Sequence, residues 1–313
     1  MSSSSTVDII ENLNWNQCDC ARSLRLILGI ATRGRPAILI ETLSDLSRQS
    51  RLPDQVVVAY AEDSDVGDAP EKFPMFTFLR SPVGLTRQRN TILDRCIDND
   101  IVVFIDDDFY LEASYLQVVE RLFIEDPAVV ASTGKVLVDG IQGPGISVEN
   151  AKTVLLRCTV AQRKQKITKV FNAYGCNMSI RLATVREHGI RFDELLPLYG
   201  WYEDVDFSRQ LAPFGSIVRI STACGVHLGI KSGRTSGLRL GYSQIANPIY
   251  LARKGSVSWP FALASLLSRS AKNMLRSLAP ESYVDRRGRL MGNFVACKEL
   301  VTGKLCPSKI TAL

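Results

Sequence analysis

Three consecutive aspartates, Asp106, Asp107 and Asp108, follow directly on the apolar run Ile101-Val102-Val103-Phe104-Ile105. Adjacent carboxylates repel one another and cost stability unless something cationic offsets them. Hard divalent ions, Mg2+ or Mn2+, prefer carboxylate oxygen and share the rest of their shell with phosphate oxygen and water. At an extended strand end alternate side chains share a face. Asp106 and Asp108 are therefore expected to act together, one on a nucleoside and one on a metal, with Asp107 turned away. The competing explanation is a solvated acidic turn, and the apolar strand immediately before the triplet weighs against it. A second acidic group, Glu203-Asp204 with Asp206 close behind, opens a short polar helix. Such a pair can simply compensate a helix dipole. Within a site it can take a proton, and there Asp204 is the expected base, with Glu203 and Asp206 as rivals.

These carboxylates need a frame. Short apolar runs at 24–31, 55–60, 76–80 and 101–105 alternate with helical patterns at 37–50, 84–98 and 113–125. That βαβα order predicts an α/β fold: a Rossmann-like open, mostly parallel sheet flanked by helices. Ligands of such sheets bind beyond the carboxyl ends of the strands, where the aspartates fall. One or two further strands are expected at 129–138 and one at 217–226, a short helix led into by Gly200 to Asp204 and running through Arg209, and a glycine-punctuated loop from Gly229 to Gly241. A basic amphipathic helix is expected over 259–278, and a last helix with an extended end over 292–313. The expected organisation is a poorly ordered leader over 1–23, a catalytic domain over 24–235 and a helical C-terminal extension over 236–313.

Several segments together resemble the GT-A glycosyltransferases, specifically the inverting family 2 type. Ile105-Asp106-Asp107-Asp108 looks like the DxD motif. Ile30-Ala31-Thr32-Arg33-Gly34-Arg35-Pro36 is similar to the first nucleotide-binding loop. Gly84-Leu85-Thr86-Arg87-Gln88-Arg89-Asn90 is similar to the helix-opening segment before the metal strand. Gly175-Cys176-Asn177-Met178-Ser179 resembles the small-residue loop lining the donor sugar, Glu203-Asp204 the xED motif with its basic Asp, and His227 the C-terminal histidine that ligates the metal. The resemblance covers residues 24–235. It implies Mn2+ or Mg2+ held by Asp106, Asp108 and His227, with UDP-linked sugars as the family's default donors. It also implies donor contacts from Thr32, Arg33, Arg35 and Asn177. The family places an Asp directly after the second strand, where this chain reads Val58-Ala59-Tyr60-Ala61-Glu62-Asp63; either Glu62 or Asp63 is expected to touch the base. The QxxRW signature of processive synthases is absent, which favours one sugar per encounter.

Other roles follow from residue chemistry. Lys231 and Arg234 suit a donor diphosphate. Arg89 suits the acidic nucleotide pocket or a structural ion pair. Trp201 and Tyr202, just before Asp204, offer flat aromatic platforms to an acceptor sugar. Composition bounds the rest. Residues 1–126 carry 12 Lys+Arg and 21 Asp+Glu, while the remainder carries 26 and 11, with no acid between Asp206 and Glu281. A positive field of this kind favours an anionic partner, and the acidic half argues against plain nucleic-acid binding. The basic cluster Arg157, Arg163, Lys164, Lys166 and Lys169, and the helix with Arg269, Lys272 and Arg276, suit an anionic membrane surface. A glycan or an oligosaccharide on a lipid diphosphate is then the expected acceptor. No apolar run approaches the ~20 residues that span a bilayer. Eight cysteines without a CxxC pair, and two histidines, argue against zinc and against a disulfide framework. Cys96, Cys176 and Cys224 are expected to be buried thiols. A cytoplasmic protein, peripheral at the inner face of the cytoplasmic membrane, is the expected setting. Two rivals remain: a nucleotidylyltransferase, which would want a richer glycine loop with a signature lysine, and a non-enzymatic binding module, which leaves Glu203-Asp204 and His227 unexplained.

Overall fold

The computed structural model describes residues 24–97, 100–158, 164–233 and 235–313. The leader over 1–23, Arg163 and Arg234 lie outside the described residues. The first half alternates as its apolar spacing requires: β1 (Arg25–Ala31), α1 (Pro36–Asp45), β2 (Gln55–Tyr60), α2 (Ala69–Lys72), β3 (Thr77–Arg80), α3 (Leu85–Arg95) and β4 (Asp100–Asp106). Then come β5 (Phe109–Leu111), α4 (Tyr115–Glu125), β6 (Val129–Asp139), α5 (Val148–Leu156), β7 (Ile167–Lys169), β8 (Asn177–Arg181), α6 (Leu182–Glu187), α7 (Glu203–Leu211) and β9 (Ser216–His227). Three helices follow: α8 (Gly237–Lys254), α9 (Trp259–Arg276) and α10 (Arg286–Val301).

The strands form one sheet in the order β3-β2-β1-β4-β8-β6-β9-β5, with β7 on β9. The pairings make six of the nine described strands run one way, β1 to β4 with β6 and β9, while β5, β7 and β8 oppose them. Central strands buried on both faces must be apolar throughout. In β1 and β4 the alternation splits cleanly between layers. Leu26, Leu28, Ile30, Val103 and Ile105 meet Leu39, Leu43, Val119 and Phe123 of α1 and α4. Ile27, Val102 and Phe104 meet Ile92, Leu93 and Phe207 of α3 and α7. The carboxyl ends of β1, β2, β4, β6 and β9 consequently lie on one edge, and every candidate metal ligand sits there.

Three expectations need correction. The segment Gly175 to Ser179, read as a loop, enters the sheet: Asn177 to Arg181 is β8, the antiparallel strand between β4 and β6. The glycine-rich loop after His227 ends sooner than expected, because α8 begins at Gly237 and runs through Gly241 and an internal Pro248. The last helix begins at Arg286, ahead of Gly292. The glycines that disguise α8 and α10 are there for contact. A Cβ on Gly241 would fall 2.0 Å from the Arg289 carbonyl oxygen, and one on Gly292 would fall 2.1 Å from that of Leu238. The two helices cross backbone to backbone, which only glycine permits. Residues 129–139 form one strand, with register shifts against β9. No disulfide joins the described cysteines, and Cys96, Cys176 and Cys224 are buried.

Candidate active site

The aspartate triplet alternates at the end of β4. Asp107 turns inward and is fully buried, accepting a hydrogen bond from the Thr32 hydroxyl at 2.6 Å and pairing with the Arg35 guanidinium at 2.5 Å. Burial pushes the Asp107 carboxyl up, and Arg35 opposes it. Asp106 and Asp108 turn the other way, toward His227. The His227 Nε2 lies 3.4 Å from Asp108 Oδ1 and 3.6 Å from Asp106 Oδ2. Asp108 Oδ2 is already held, by the Ile230 amide at 2.8 Å and by Arg35 at 3.3 Å. Burial alone would raise the Asp108 pKa; His227 and Arg35 outweigh it and hold the carboxyl at about 2. Asp106 remains the open member, its side chain 30% exposed.

His227 ends β9, and Asp139 ends β6 directly opposite it in the pairing register. Their side chains meet, Nδ1 to Oδ1, at 2.9 Å. A carboxylate only accepts, so Nδ1 carries a proton toward Asp139, and a cation held between Asp106 and Asp108 would meet the Nε2 lone pair. Tyr174 donates to the other Asp139 oxygen at 3.1 Å. This is the arrangement by which a carboxylate fixes the tautomer of a metal-bound histidine. Without a metal, burial would lower the His227 pKa, but bonds to Asp108 and Asp139 carry it up to about 10. The corner therefore demands positive charge. One ligand atom each from Asp106, Asp108 and His227 falls within 4.8 Å of the others. Asp108 Oδ1 is buried with no polar neighbour nearer than His227 Nε2 at 3.4 Å, which leaves it free to ligate a cation set between them. Two carboxylates and an imidazole suit a divalent ion such as Mn2+ or Mg2+.

The second acidic group opens α7 behind Tyr202, which takes a left-handed φ of 71°. Glu203 is buried and paired with Arg89 at 2.6 Å. Arg89 also donates to the Gly175 carbonyl oxygen at 2.7 Å and lies 3.6 Å from Asp106. It is 2% exposed, so it ties the two acidic groups together from behind. Asp206 is fully buried, held by Lys254 at 2.8 Å and by the Ser256 hydroxyl at 2.5 Å. Both rivals of Asp204 are thus occupied. Asp204 is the half-buried member; its oxygens accept from the Gly175 amide at 3.1 Å, the Val205 amide at 2.8 Å and Asn172 at 3.5 Å. Burial raises its pKa, against the pull of those amides and Arg89.

The other expected residues divide. Glu62, Asp63 and Arg33 are exposed on loops at the ends of β2 and β1. Thr32 and Arg35 face the aspartates from within, as structural partners of Asp107. Asn177 is a correction: it is fully buried in β8 and its amide oxygen accepts from the Thr133 hydroxyl, so it does not line an open surface. Arg89 is likewise enclosed and presents no free face to a ligand. Lys231 donates to the Gly140 and Ile141 carbonyl oxygens at 3.1 and 3.2 Å, which anchors the loop after His227. Trp201 and Tyr202 are half-buried beside α9: Arg269 stacks over Trp201 at 5.4 Å, and the Tyr202 hydroxyl meets Ser265 at 2.6 Å. Sequence reasoning missed Asp139 and Asp65. Asp139 ends a strand, the same signal that singled out Asp106. Asp65 is buried and accepts from the amides of Gly34, Ala61 and Glu62, locking the loops after β1 and β2 together.

A nucleotide-binding α/β sheet with a metal-ready carboxylate–histidine corner at its carboxyl edge defines the GT-A class of glycosyltransferase. The model of the family described as glycosyl transferase family 2 matches residues 28–189, more than half of the chain, and the chain belongs to that family. Among solved structures it is similar in fold to GalNAc-T7 crystallised with UDP, GalNAc and Mn2+, at 12% identity and a TM-score of 0.54. That match covers 76% of this chain and 52% of the other, so the chain spans about half the length of GalNAc-T7. It is also similar to the mannosyltransferase PcManGT of Pyrobaculum calidifontis in complex with GDP-Man and Mn2+, at 15% identity and a TM-score of 0.51, over 92% of this chain and 85% of that one. No curated protein matches.

Proposed function

We propose that this chain is a metal-dependent inverting glycosyltransferase. It moves one sugar from a nucleoside-diphosphate donor to a hydroxyl of a glycan or a lipid-linked oligosaccharide, with Asp204 as the base. One observation carries the reading: Asp204, the one carboxylate of the α7 group left half-buried, stands beside a metal-ready corner, and Arg89 joins the two through Glu203 and Asp106. Both similar structures hold a nucleotide or nucleotide-sugar with Mn2+, which supports a UDP- or GDP-type donor and a divalent ion at Asp106, Asp108 and His227. Bound there, that ion would neutralise the departing diphosphate.

The chain's own residues do the rest. Exposed Arg33, with Glu62 or Asp63, receives the nucleotide at the ends of β1 and β2. Arg35 and Thr32 hold Asp107 so that its neighbours face the donor. Asp204 accepts the acceptor proton as the hydroxyl oxygen bonds to the anomeric carbon and the bond to the diphosphate breaks on the opposite side. Lys231 and Arg234 belong to the segment after His227 that would fold over the diphosphate, and Trp201 and Tyr202 border the acceptor side. Catalysis is assigned to residues 24–235, with 236–313 as a helical extension. The test is nucleoside-diphosphate release across a panel of sugar nucleotides with and without Mn2+. Release that depends on metal and falls sharply in Asp204→Asn is expected. Pyrophosphate formation, or no turnover of any donor, would refute the proposal.

A further inference from the structure

The turn that delivers Asp204 is not set by its own sequence. Among the described residues, only Leu198 (φ 59°) and Tyr202 (φ 71°) take a left-handed backbone without being glycine, and Gly200 between them does so at φ 64°. A bulky side chain disfavours that region, so such a residue stays there only where its surroundings force it. α7 then starts at Glu203 without a side-chain cap. The restraint must come from outside the turn.

It comes from two sides. On one, the start of α3 donates to the loop: the Leu85 amide to the Leu198 carbonyl oxygen at 2.8 Å, and the Thr86 hydroxyl to that of Leu196 at 3.2 Å. On the other stand α8 and α9. Asn247 of α8, fully buried, donates to the Trp201 carbonyl oxygen at 2.8 Å. Ser265 of α9 meets the Tyr202 hydroxyl at 2.6 Å. Leu198 packs on the cluster of Tyr242, Ile245 and Ile249 in α8, and Val205 of α7 joins Leu251 and Ala262. Lys254 and Ser256, at the end of α8, hold Asp206 at 2.8 and 2.5 Å. Asp206 lies two residues past Asp204, about 200° round the helix, so this grip is on the face opposite Asp204.

We propose that α8 and α9 are the positioning element of the site: they hold the left-handed turn and the first turn of α7, and so fix where the Asp204 carboxylate points. Asn247 and Ser265 are the positioning residues. That Asp204 is the base rests on the transfer reading above. The helices do more than cover apolar surface. Asn247 bonds to the peptide that leads into Tyr202, the peptide whose orientation the left-handed φ sets. Without that bond the peptide is free to rotate, and Asp204, two residues on, leaves the Gly175 amide that holds it at 3.1 Å.

The test compares the full chain with Asn247→Ala and with Ser265→Ala, a milder change that removes one hydroxyl. Hydrogen exchange over 198–206, read by mass spectrometry, is expected to quicken by about 3- to 10-fold, the effect of one lost hydrogen bond. β4 should exchange as before, and Mn2+ should bind with unchanged affinity. In Asn247→Ala, kcat is expected to fall by about 10- to 100-fold, as a reacting group displaced by about 1 Å would cause, with the donor KM unchanged. The acid limb of kcat/KM is expected to move upward. An amide donor favours the ionised carboxylate, so losing it raises the pKa through which activity disappears as pH falls. A variant that was only less stable would lower the active fraction and leave the limb in place. Ser265→Ala shifts each readout in the same direction and carries the test if Asn247→Ala does not fold. Unchanged exchange over 198–206, or quicker exchange with kcat and the limb unmoved, overturns the proposal. A wild-type chain that turns over no donor counts against the transfer reading, and the exchange result then decides by itself whether α8 and α9 hold the turn.

Discussion

The two acidic groups of the site are built from similar residues and end in different electrical states. At the end of β4, with Asp139 beside them, four carboxylates (Asp106, Asp107, Asp108 and Asp139) face one permanent cation, Arg35, and the neutral-or-charged His227. At the start of α7, Glu203 is paired with Arg89 and Asp206 with Lys254, which Asp193 shares, while Asp204 accepts from two backbone amides and Asn172. Even with His227 protonated, the first group holds more carboxylates than cations. An excess of that kind calls for a divalent ion. In the second group the carboxylate without a cation of its own is Asp204. Secondary structure sets the difference: a strand end fans neighbours to opposite faces, whereas the first helical turn, with its positive dipole end, tolerates several carboxylates side by side.

The largest test of this contrast swaps charge for amide on each side. Asp204→Asn removes the one unmatched carboxylate and is expected to lower turnover by about 10²–10⁴-fold, the usual contribution of a general base, while donor binding, read by titration calorimetry with Mn2+, stays intact. Asp108→Asn should abolish both, because it removes a ligand. If Asp204→Asn lost donor binding and Asp108→Asn kept it, the roles of the two groups would be reversed.

Arg89 tests whether the groups are one unit. Removing one partner of a buried ion pair costs about 3–5 kcal/mol, because the other charge is left uncompensated. Arg89→Met should therefore lower the denaturation midpoint strongly, and adding Glu203→Gln should restore part of the loss. Lys254→Met should cost less, since Lys254 is 30% exposed and Asp206 keeps its bonds to Ser256 and Gln210. Equal losses would mean that Arg89 has no special place between the groups. Asp139→Asn is a milder perturbation on the metal side. It leaves all three ligands and removes only the anchor of His227, a change that typically costs about 10–100-fold in metal affinity. Mn2+ titration of turnover would read it.

Much of the fold and site is legible in the sequence where local pattern and chemistry coincide. The apolar runs at 24–31, 55–60 and 101–105 mark β1, β2 and β4 within a residue of their ends, and period-two alternation by itself separates Asp107 from its neighbours. Legibility fails where tertiary contact overrides local preference. β8 reads as a loop because Gly175, Asn177 and Ser179 are poor strand formers; it is held by pairing on both sides, with Asn177 capped by Thr133. α8 reads as a loop because Gly237, Gly241 and Pro248 are helix breakers, yet Gly241 is what lets α10 cross so closely. Arg35, expected at a ligand, pairs with Asp107 and Asp108 instead, and Arg89 takes the structural ion pair of its two expected roles. Residue type alone does not say whether an arginine faces a substrate or a neighbouring aspartate.

The smallest predicted effect is on pH dependence, and it separates the groups most finely. A base works ionised, so activity is present above its pKa and lost as pH falls through it. Burial raises the Asp204 pKa while the Gly175 and Val205 amides and Arg89 restrain it, so the acid limb of kcat/KM should lie above the range of an exposed aspartate. Asn172 donates to the ionised form at 3.5 Å. Asn172→Ala removes that donor and should move the limb further upward, with the plateau rate and Mn2+ affinity preserved. A shift in Mn2+ affinity instead would mean that the limb reports the aspartates of β4, and that the unmatched charge lies in the other group.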